Sequence, residues 1–483
     1  MFLYTTGIEE LLVRISKNEK IIGYSVPSTI PRTIKSTGYA DDIGGLLRTL
    51  ESLGFFFEEF KNWGKLSGAS VNEDKTKIVA INSAYTEYNS VKFVDKVKIL
   101  GITFNKFGVS KENLVLCVAK IKNTMNMWGS LGLNMLEKIT VLRTFALSKL
   151  WYQANFYVLN ETDIKNIESL AFKFLWNGCE LIKRNTLISD YADGGLKMIS
   201  IRAKLNTIML RNFIYIIKNL SRPQYQISIY WLKFYLRQFL ENFNIVPCGL
   251  EKNRPIFFRK MIESIDSFKT LYGKWSIIEN ERRNKVCVQK NLTRKNKLTF
   301  KPVEKNFLKN VKLLTSKFLY DQYLTEFRNI PKLSFAYSSS EEKEIFSNLQ
   351  NNITCANIKI VNYKTMLNGL PLNKKFRNRY DKKCYLCNKV LDEDLMHLFL
   401  SCGSAIKCFD FIKQYLTNNE LEAHLDLIQY KYNLEMNDFK VISIYVYALW
   451  QTRNILKHSK ELTDAFNVFK KIFNKWYLSK TNI

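Results

Sequence analysis

The sequence predicts an α+β protein, and three observations carry that expectation. Strand and turn signals fall at Tyr39–Asp42 and over Thr76–Ile81. Apolar residues recur at helical spacing over Leu46–Leu66 and through much of the chain after residue 111. A tight group of Cys384, Cys387, His397 and Cys402 lies in a helix-rich tail. The 483 residues suffice for about two to four domains with cores of their own. A hydrophobic content of 46% with 14% aromatics excludes a disordered chain. The net charge of +29 suits a polyanionic partner. The sequence is also rich in Lys, Asn, Ile, Phe and Tyr, as AT-rich codons produce, so the charge is permissive and not diagnostic. Nine cysteines, an odd number, argue against a disulfide framework. No apolar run reaches the roughly 18 residues that span a bilayer, and Glu9 and Glu10 sit where a signal peptide is apolar. A soluble, reduced protein of nucleus or cytoplasm is expected, with no membrane partner.

The first informative stretch is Tyr39-Ala40-Asp41-Asp42. Adjacent carboxylates repel, so a partly buried pair protonates or recruits a cation. A tight turn lets both reach one site, although neighbours on a regular strand point apart. Two readings stand side by side: a surface hairpin with a solvated Asp pair, or part of a two-metal site that stabilises attacking and leaving oxygens together.

The surroundings of this tetrapeptide resemble a reverse transcriptase of the LINE-type, non-LTR retrotransposon class. Upstream, Phe2–Ile15 resembles the helix that precedes the metal-binding hairpin of the palm. Downstream, Ser67–Val79 resembles the next palm motif, with Asn72, Lys75 and Thr76 in their usual places. Lys98–Phe104 resembles the Leu-Gly hairpin that grips the primer end, here Leu100 and Gly101. The resemblance implies RNA-directed DNA synthesis with two Mg²⁺, an RNA template, a DNA primer or target, and dNTP. It gives Asp41 and Asp42 the role of metal ligands, Tyr39 a place near the incoming nucleotide or primer end, and Lys75 the protonation of leaving pyrophosphate. An ordinary solvated lysine explains Lys75 equally well.

A palm also needs an Asp from a strand well upstream, and the only acidic residues before Asp41 are Glu9, Glu10 and Glu19. The family pattern therefore implies a carboxy-terminal part cut within the palm. The alternative function is a catalytically inactive nucleic-acid-binding remnant, or an unselected fossil. Gly44 and Gly45 stand where the family has bulky apolar residues, so the return strand is expected to hold the carboxylates loosely.

Over Leu46–Leu66 the stripe Leu47, Leu50, Leu53, Phe57 and Phe60 predicts a helix under the palm sheet, ended by Gly68. Thr76–Ile81 reads as a strand. Residues 111–176 resemble the helical thumb. Met135, Ile139, Leu142, Ala146 and Leu150 form its apolar stripe, and Lys138, Arg143 and Lys149 are expected to bring positive charge to a duplex. Trp128, Trp151 and Trp176 are assigned to packing. Tyr191-Ala192-Asp193-Gly194-Gly195 echoes the hairpin without its second Asp, and a glycine turn explains it. Residues 200–355 read as helical segments broken by Pro223, Pro247 and Pro255. Between Arg282 and Lys301 lie eight Lys or Arg and no acid, either a nucleic-acid contact loop or a solvated linker.

The second informative stretch is Cys384-x2-Cys387, then His397, then Cys402. Two thiolates one turn apart with a His–Cys pair behind them fit a tetrahedral structural Zn²⁺ site. Cys408 is a spare or substitute ligand, and His424 and His458 have no partners at ligand spacing. Leu367–Pro371, His397–Cys402 and Leu449–Asn454 resemble the zinc-binding tail of many such elements. The predicted organisation is thus a partial polymerase palm (1–106), a helical thumb (107–178), a helical connector (179–360) and a small zinc-binding helical tail (361–483).

Overall fold

The computed structural model describes residues 2–26, 32–72, 74–81, 87–88, 91–219, 225–236, 254–268, 315–327, 343, 346–349, 354–376, 383–417, 434–459 and 464–478. The basic run 282–301 and His424 lie outside the described residues. The fold is α+β: helices dominate, and the sheets are small and antiparallel. Contacts divide the chain into two compact units. The first comprises Met1–Lys120, Lys149–Glu161 and Arg202–Thr325, the second Ile121–Ser148, Thr162–Ile201 and Glu326–Ile483.

The first unit begins with helix α1 (Phe2–Lys17) and the short strands β1 (Tyr24–Val26) and β2 (Arg32–Ile34). The hairpin β3–β4 follows, Ser36–Tyr39 paired with Asp42–Gly45. Helix α2 (Leu50–Ser67) starts where Thr49 accepts a hydrogen bond from the Ser52 backbone N–H, and it stops at Gly68, whose φ of 73° few other residues adopt. Its buried face is Ser52, Phe56 and Trp63, rotated from the predicted stripe. Phe57 instead stacks on Tyr88 at 6.4 Å. Phe56 and Trp63 join Ile8, Leu11, Ile15 and Ile21 in a small core shared with α1.

Thr76–Ile81 is not a strand. Asn72 organises a turn there instead, its side-chain oxygen accepting from the Lys75 N–H at 3.0 Å and its carbonyl from the Thr76 hydroxyl at 2.8 Å. Among the described residues a single parallel bridge, Ile78 to Phe93, is the pairing found there. The local Asn72 bonds hold the entry to the segment, at Lys75 and Thr76, in a turn and not in a ladder. Strands β5 (Glu87–Tyr88) and β6 (Val91–Lys92) are short, and β7 (Lys96–Ile99), β8 (Ile102–Asn105) and β9 (Gly108–Val109) form a three-stranded sheet. Leu100 and Gly101, at φ 47° and 82°, supply the turn between β7 and β8.

Helices α3 (Glu112–Gly129), α4 (Met135–Val141), α5 (Ser148–Gln153) and α6 (Glu161–Trp176) follow, α4 continuing into a π-helical turn over Leu142–Ala146. All five residues of the predicted stripe are buried, from Met135 at 4% exposed to Leu150 at 0%. Lys138 departs from its expected surface position: it is buried, with its Nζ 5.5 Å from the centre of the Phe174 ring. Trp128 stacks on Phe145 at 5.2 Å, a packing role.

Helix α7 (Arg184–Ile188) leads to the Tyr191–Asp193 turn, where Gly194 adopts a φ of 75°. A Cβ on Gly195 would stand 2.0 Å from the Ser189 carbonyl oxygen, so only glycine fits. The glycine turn expected there is the one observed. Helices α8 (Ile201–Lys218), α9 (Gln226–Leu236), α10 (256–268) and α11 (Ser316–Phe327) occupy the described part of the middle region. The tail contributes α12 (Ala356–Met366), α13 (Gly403–Lys413), α14 (Met436–His458) and α15 (Ala465–Leu478) around one large core. Among the described residues, no helix is long and apolar enough to cross a membrane.

Candidate metal centre

The ligand atoms of Cys384, Cys387, His397 and Cys402 all lie within 4.8 Å of one another. Among the described residues this is the group of His, Cys, Asp or Glu side chains able to hold a metal ion. A tetrahedral zinc with bonds of about 2.3 Å to sulfur and 2.0–2.1 Å to nitrogen sets ligands apart by about 3.8 Å between sulfurs and 3.6 Å from sulfur to nitrogen. The observed separations are 4.0 Å between the sulfurs of Cys384 and Cys402, and 3.5 Å from Cys387 Sγ to His397 Nε2. The residues fit zinc.

The first ligand pair sits on a tight knuckle. The Asn388 N–H donates to the Cys384 carbonyl at 2.8 Å, and the Cys384 N–H donates to Lys389 at 3.1 Å. Asn388 completes the turn at φ 54°, a conformation asparagine tolerates. The second pair is spaced by a π-helical turn over His397–Ser401, closed by the Cys402 N–H donating to the His397 carbonyl at 2.9 Å. Cys402 is then the N-cap of α13, so the positive end of that helix faces its sulfur. A hydrogen bond from the Cys384 thiol, and N–H groups of Ala405 and Ser404, hold the Cys402 thiol below its ordinary pKa. A thiolate is the form that binds metal.

Outer contacts fix the ligands in turn. Burial raises the pKa of Asp394, but hydrogen bonds from the Lys374 ammonium and the His397 N–H outweigh it and hold the carboxyl below its usual range. Those bonds are 2.8 and 2.9 Å long. Ser404 donates to the Leu386 carbonyl at 3.1 Å, joining α13 to the knuckle. Arg453 of α14 forms a buried ion pair with Glu393 and lies 4.9 Å from the centre of the Tyr385 ring. Asn373 accepts from the Arg453 guanidinium and donates to the Lys383 carbonyl at 2.9 Å. Sequence reasoning singled out the Leu449–Asn454 segment but missed Glu393 and Asn373. Periodicity could not show them, because the pair is 60 residues apart. Cys408 is a core residue and not a ligand; burial pushes its thiol up to about 12. His458 closes α14 and lies apart from the cluster.

The remaining site residues expected from sequence lie in the first unit. Ala40, at φ 54°, and Asp41 form the two-residue turn of β3–β4, while Asp42 opens β4 opposite Tyr39. Both carboxylates are exposed, and Tyr39 is 68% exposed. Among the described residues, no third ligand joins Asp41 and Asp42 in a metal-competent group. Gly45 proves to be a packing device: a Cβ there would meet the Phe56 ring at 3.0 Å, and one on Gly38 would meet Leu12 at 2.9 Å. The hairpin thus lies against α1 at Gly38, next to its tip, and against α2 at Gly45, at its base. Lys75 is exposed on its turn. Leu100 and Gly101 form the β7–β8 tip, where the Leu100 carbonyl accepts a hydrogen bond from the Tyr152 hydroxyl.

No protein-family model matches the chain, and no curated protein matches it.

Proposed function

We propose that the chain is a nucleic-acid-binding protein of the LINE-type reverse transcriptase kind, with a tail domain braced by structural zinc. The observation that supports this reading most is the convergence of three thiols and one imidazole within 4.8 Å, inside the segment that resembles the family's tail. Protein fills all four positions, so the metal would contribute folding free energy and leave no open site for a substrate. The domain carries lysines suited to phosphate on its outer face. In α15, Phe469 and Phe473 are buried while Lys470, Lys471 and Lys475 are exposed.

A second reading is RNA-directed DNA synthesis with Mg²⁺ at Asp41 and Asp42. The hairpin favours it, since two exposed carboxylates sit at the tip of a hairpin that lies against Leu12 and Phe56. Tyr39 would then meet the incoming dNTP, Leu100 and Gly101 the primer end, and Lys75 the departing pyrophosphate. Two-metal chemistry calls for a further carboxylate, and among the described residues none stands with Asp41 and Asp42.

Primer extension on an RNA template with Mg²⁺, beside an Asp41→Asn chain, separates the readings. Binding of the same template–primer is followed across a salt series. Steeply salt-dependent binding without extension supports the binding protein. Extension abolished by Asp41→Asn establishes the polymerase. A folded, zinc-loaded chain that neither binds nor extends overturns both.

A further inference from the structure

The second unit brings three donors, unpartnered among the described residues, onto neighbouring helices. Helix α4 packs against α12, and the end of α6 meets both through ring contacts. Lys138 on α4 is only 5% exposed, and its ammonium sits over Phe174. Lys364 on α12 places its Nζ 5.2 Å from the centre of the Trp176 ring. Neither ammonium has a hydrogen-bond or ion-pair partner among the described residues. The indole Nε1 of Trp176 is buried and also lacks an acceptor.

An arrangement of two cations and one N–H, with no acceptor, is costly by itself. Buried charges are ordinarily paired, and buried donors ordinarily bonded. The ring faces attract the ammonium groups but accept no conventional hydrogen bond. Burial lowers the pKa of both lysines, and the Lys138 charge lowers that of Lys364 further. An anion carrying several acceptor oxygens would relieve all three groups together. A tetrahedral phosphate matches three separate donors better than a planar carboxylate does, and lysine binds phosphate as a point charge.

We infer that Lys138, Lys364 and the Trp176 indole form a binding site for a phosphate group, supplied either by free phosphate or by a nucleic-acid backbone. The site shares no residue with the Cys3His centre.

Calorimetric titration of the full chain tests it, with inorganic phosphate in one arm and oligothymidylate in the other. Lys364→Met and Lys138→Met are expected to weaken binding at least about tenfold, in line with the loss of one partner of a buried charge contact. Trp176→Phe keeps the ring, removes the N–H and weakens binding severalfold. Thermal melting of each variant verifies folding, and the lysine variants are expected to melt no lower than the parent, since an unpaired buried charge is removed. Weakening in the phosphate arm assigns the site to the free anion, and weakening in the oligothymidylate arm alone assigns it to backbone phosphate. Affinities that the three variants leave unchanged, or no binding of either probe by the parent chain, overturn the inference.

Discussion

Arg453 grips Glu393 through its Nε, which lies 3.1 Å from one carboxylate oxygen and 3.0 Å from the other, with both side chains essentially inaccessible to water. The pair ties the long helix α14 to the strand-poor segment between the two halves of the metal centre. Removing Arg453 alone would leave a buried carboxylate with no countercharge. Arg453→Met should therefore destabilise the chain by about 3–5 kcal/mol, while the double change Arg453→Met with Glu393→Leu should recover most of that loss. Chemical unfolding of the two variants beside the parent checks the difference. Equal destabilisation by both would show that the guanidinium acts through Tyr385 and Asn373 and not through the ion pair.

Metal removal should unfold the tail more than any other described part. The knuckle at Cys384–Asn388 and the start of α13 at Cys402 meet at the cluster, so a chelator leaves buried thiols with no common ligand. One zinc per chain is expected by elemental analysis. Cys402→Ser and His397→Ala should both lower the metal content and the melting temperature, whereas Cys408→Ala should keep the full metal content. Retention of one zinc by Cys402→Ser would contradict the assignment of that ligand.

The Ser189–Gly195 turn offers a steric test. Gly195→Ala forces a Cβ to within 2.0 Å of the Ser189 carbonyl oxygen, backbone that has no flexible end to move. A loss of at least about 3 kcal/mol is expected, at the upper end of ordinary single substitutions. Gly403→Ala meets nothing within 4 Å and should be nearly silent. Unfolding curves for the two variants measure the contrast.

Lys375 gives a pH signature. Burial lowers its pKa to about 8 from the usual 10.5. Between those values the unfolded chain binds more protons than the folded one, so this group makes stability rise with pH across the window. Below about pH 8 both states hold the proton, and the contribution is constant and unfavourable. Lys375→Met should flatten the rise between pH 8 and 10.5 when melting temperatures of variant and parent are compared. A parent slope that the substitution leaves untouched would assign the rise to other groups.

The parts of the fold legible in the sequence were those governed by short-range rules. The Met135–Leu150 stripe is buried throughout because helical spacing alone selects one face. Gly68 ends α2 because a left-handed residue is needed there. The Cys/His spacing foretold the metal cluster because ligand geometry restricts it to a few backbone turns. Where long-range packing decides, the reading failed. Lys138 shares the polar character of Arg143 in sequence, yet its ammonium is covered by Phe174 of α6. The inward face of α2 is chosen by α1 and Gly45, which no local pattern encodes. Thr76–Ile81 read as a strand, but the chain enters it from the Asn72 turn and among the described residues only Ile78 finds a bridge partner, Phe93.

The π-helical turn between His397 and Cys402 makes chain length a guarded quantity in the tail, beside the buried Leu398 and Phe399. Its closing hydrogen bond runs from one ligand residue to the other, spanning five positions where an α-turn spans four. Deleting one residue would turn this segment into a regular helix and swing the Cys402 sulfur about 100° around the axis, away from the other three ligands. Ser401, the exposed residue of the turn, should tolerate substitution, whereas inserting or deleting a residue there should cost the metal site.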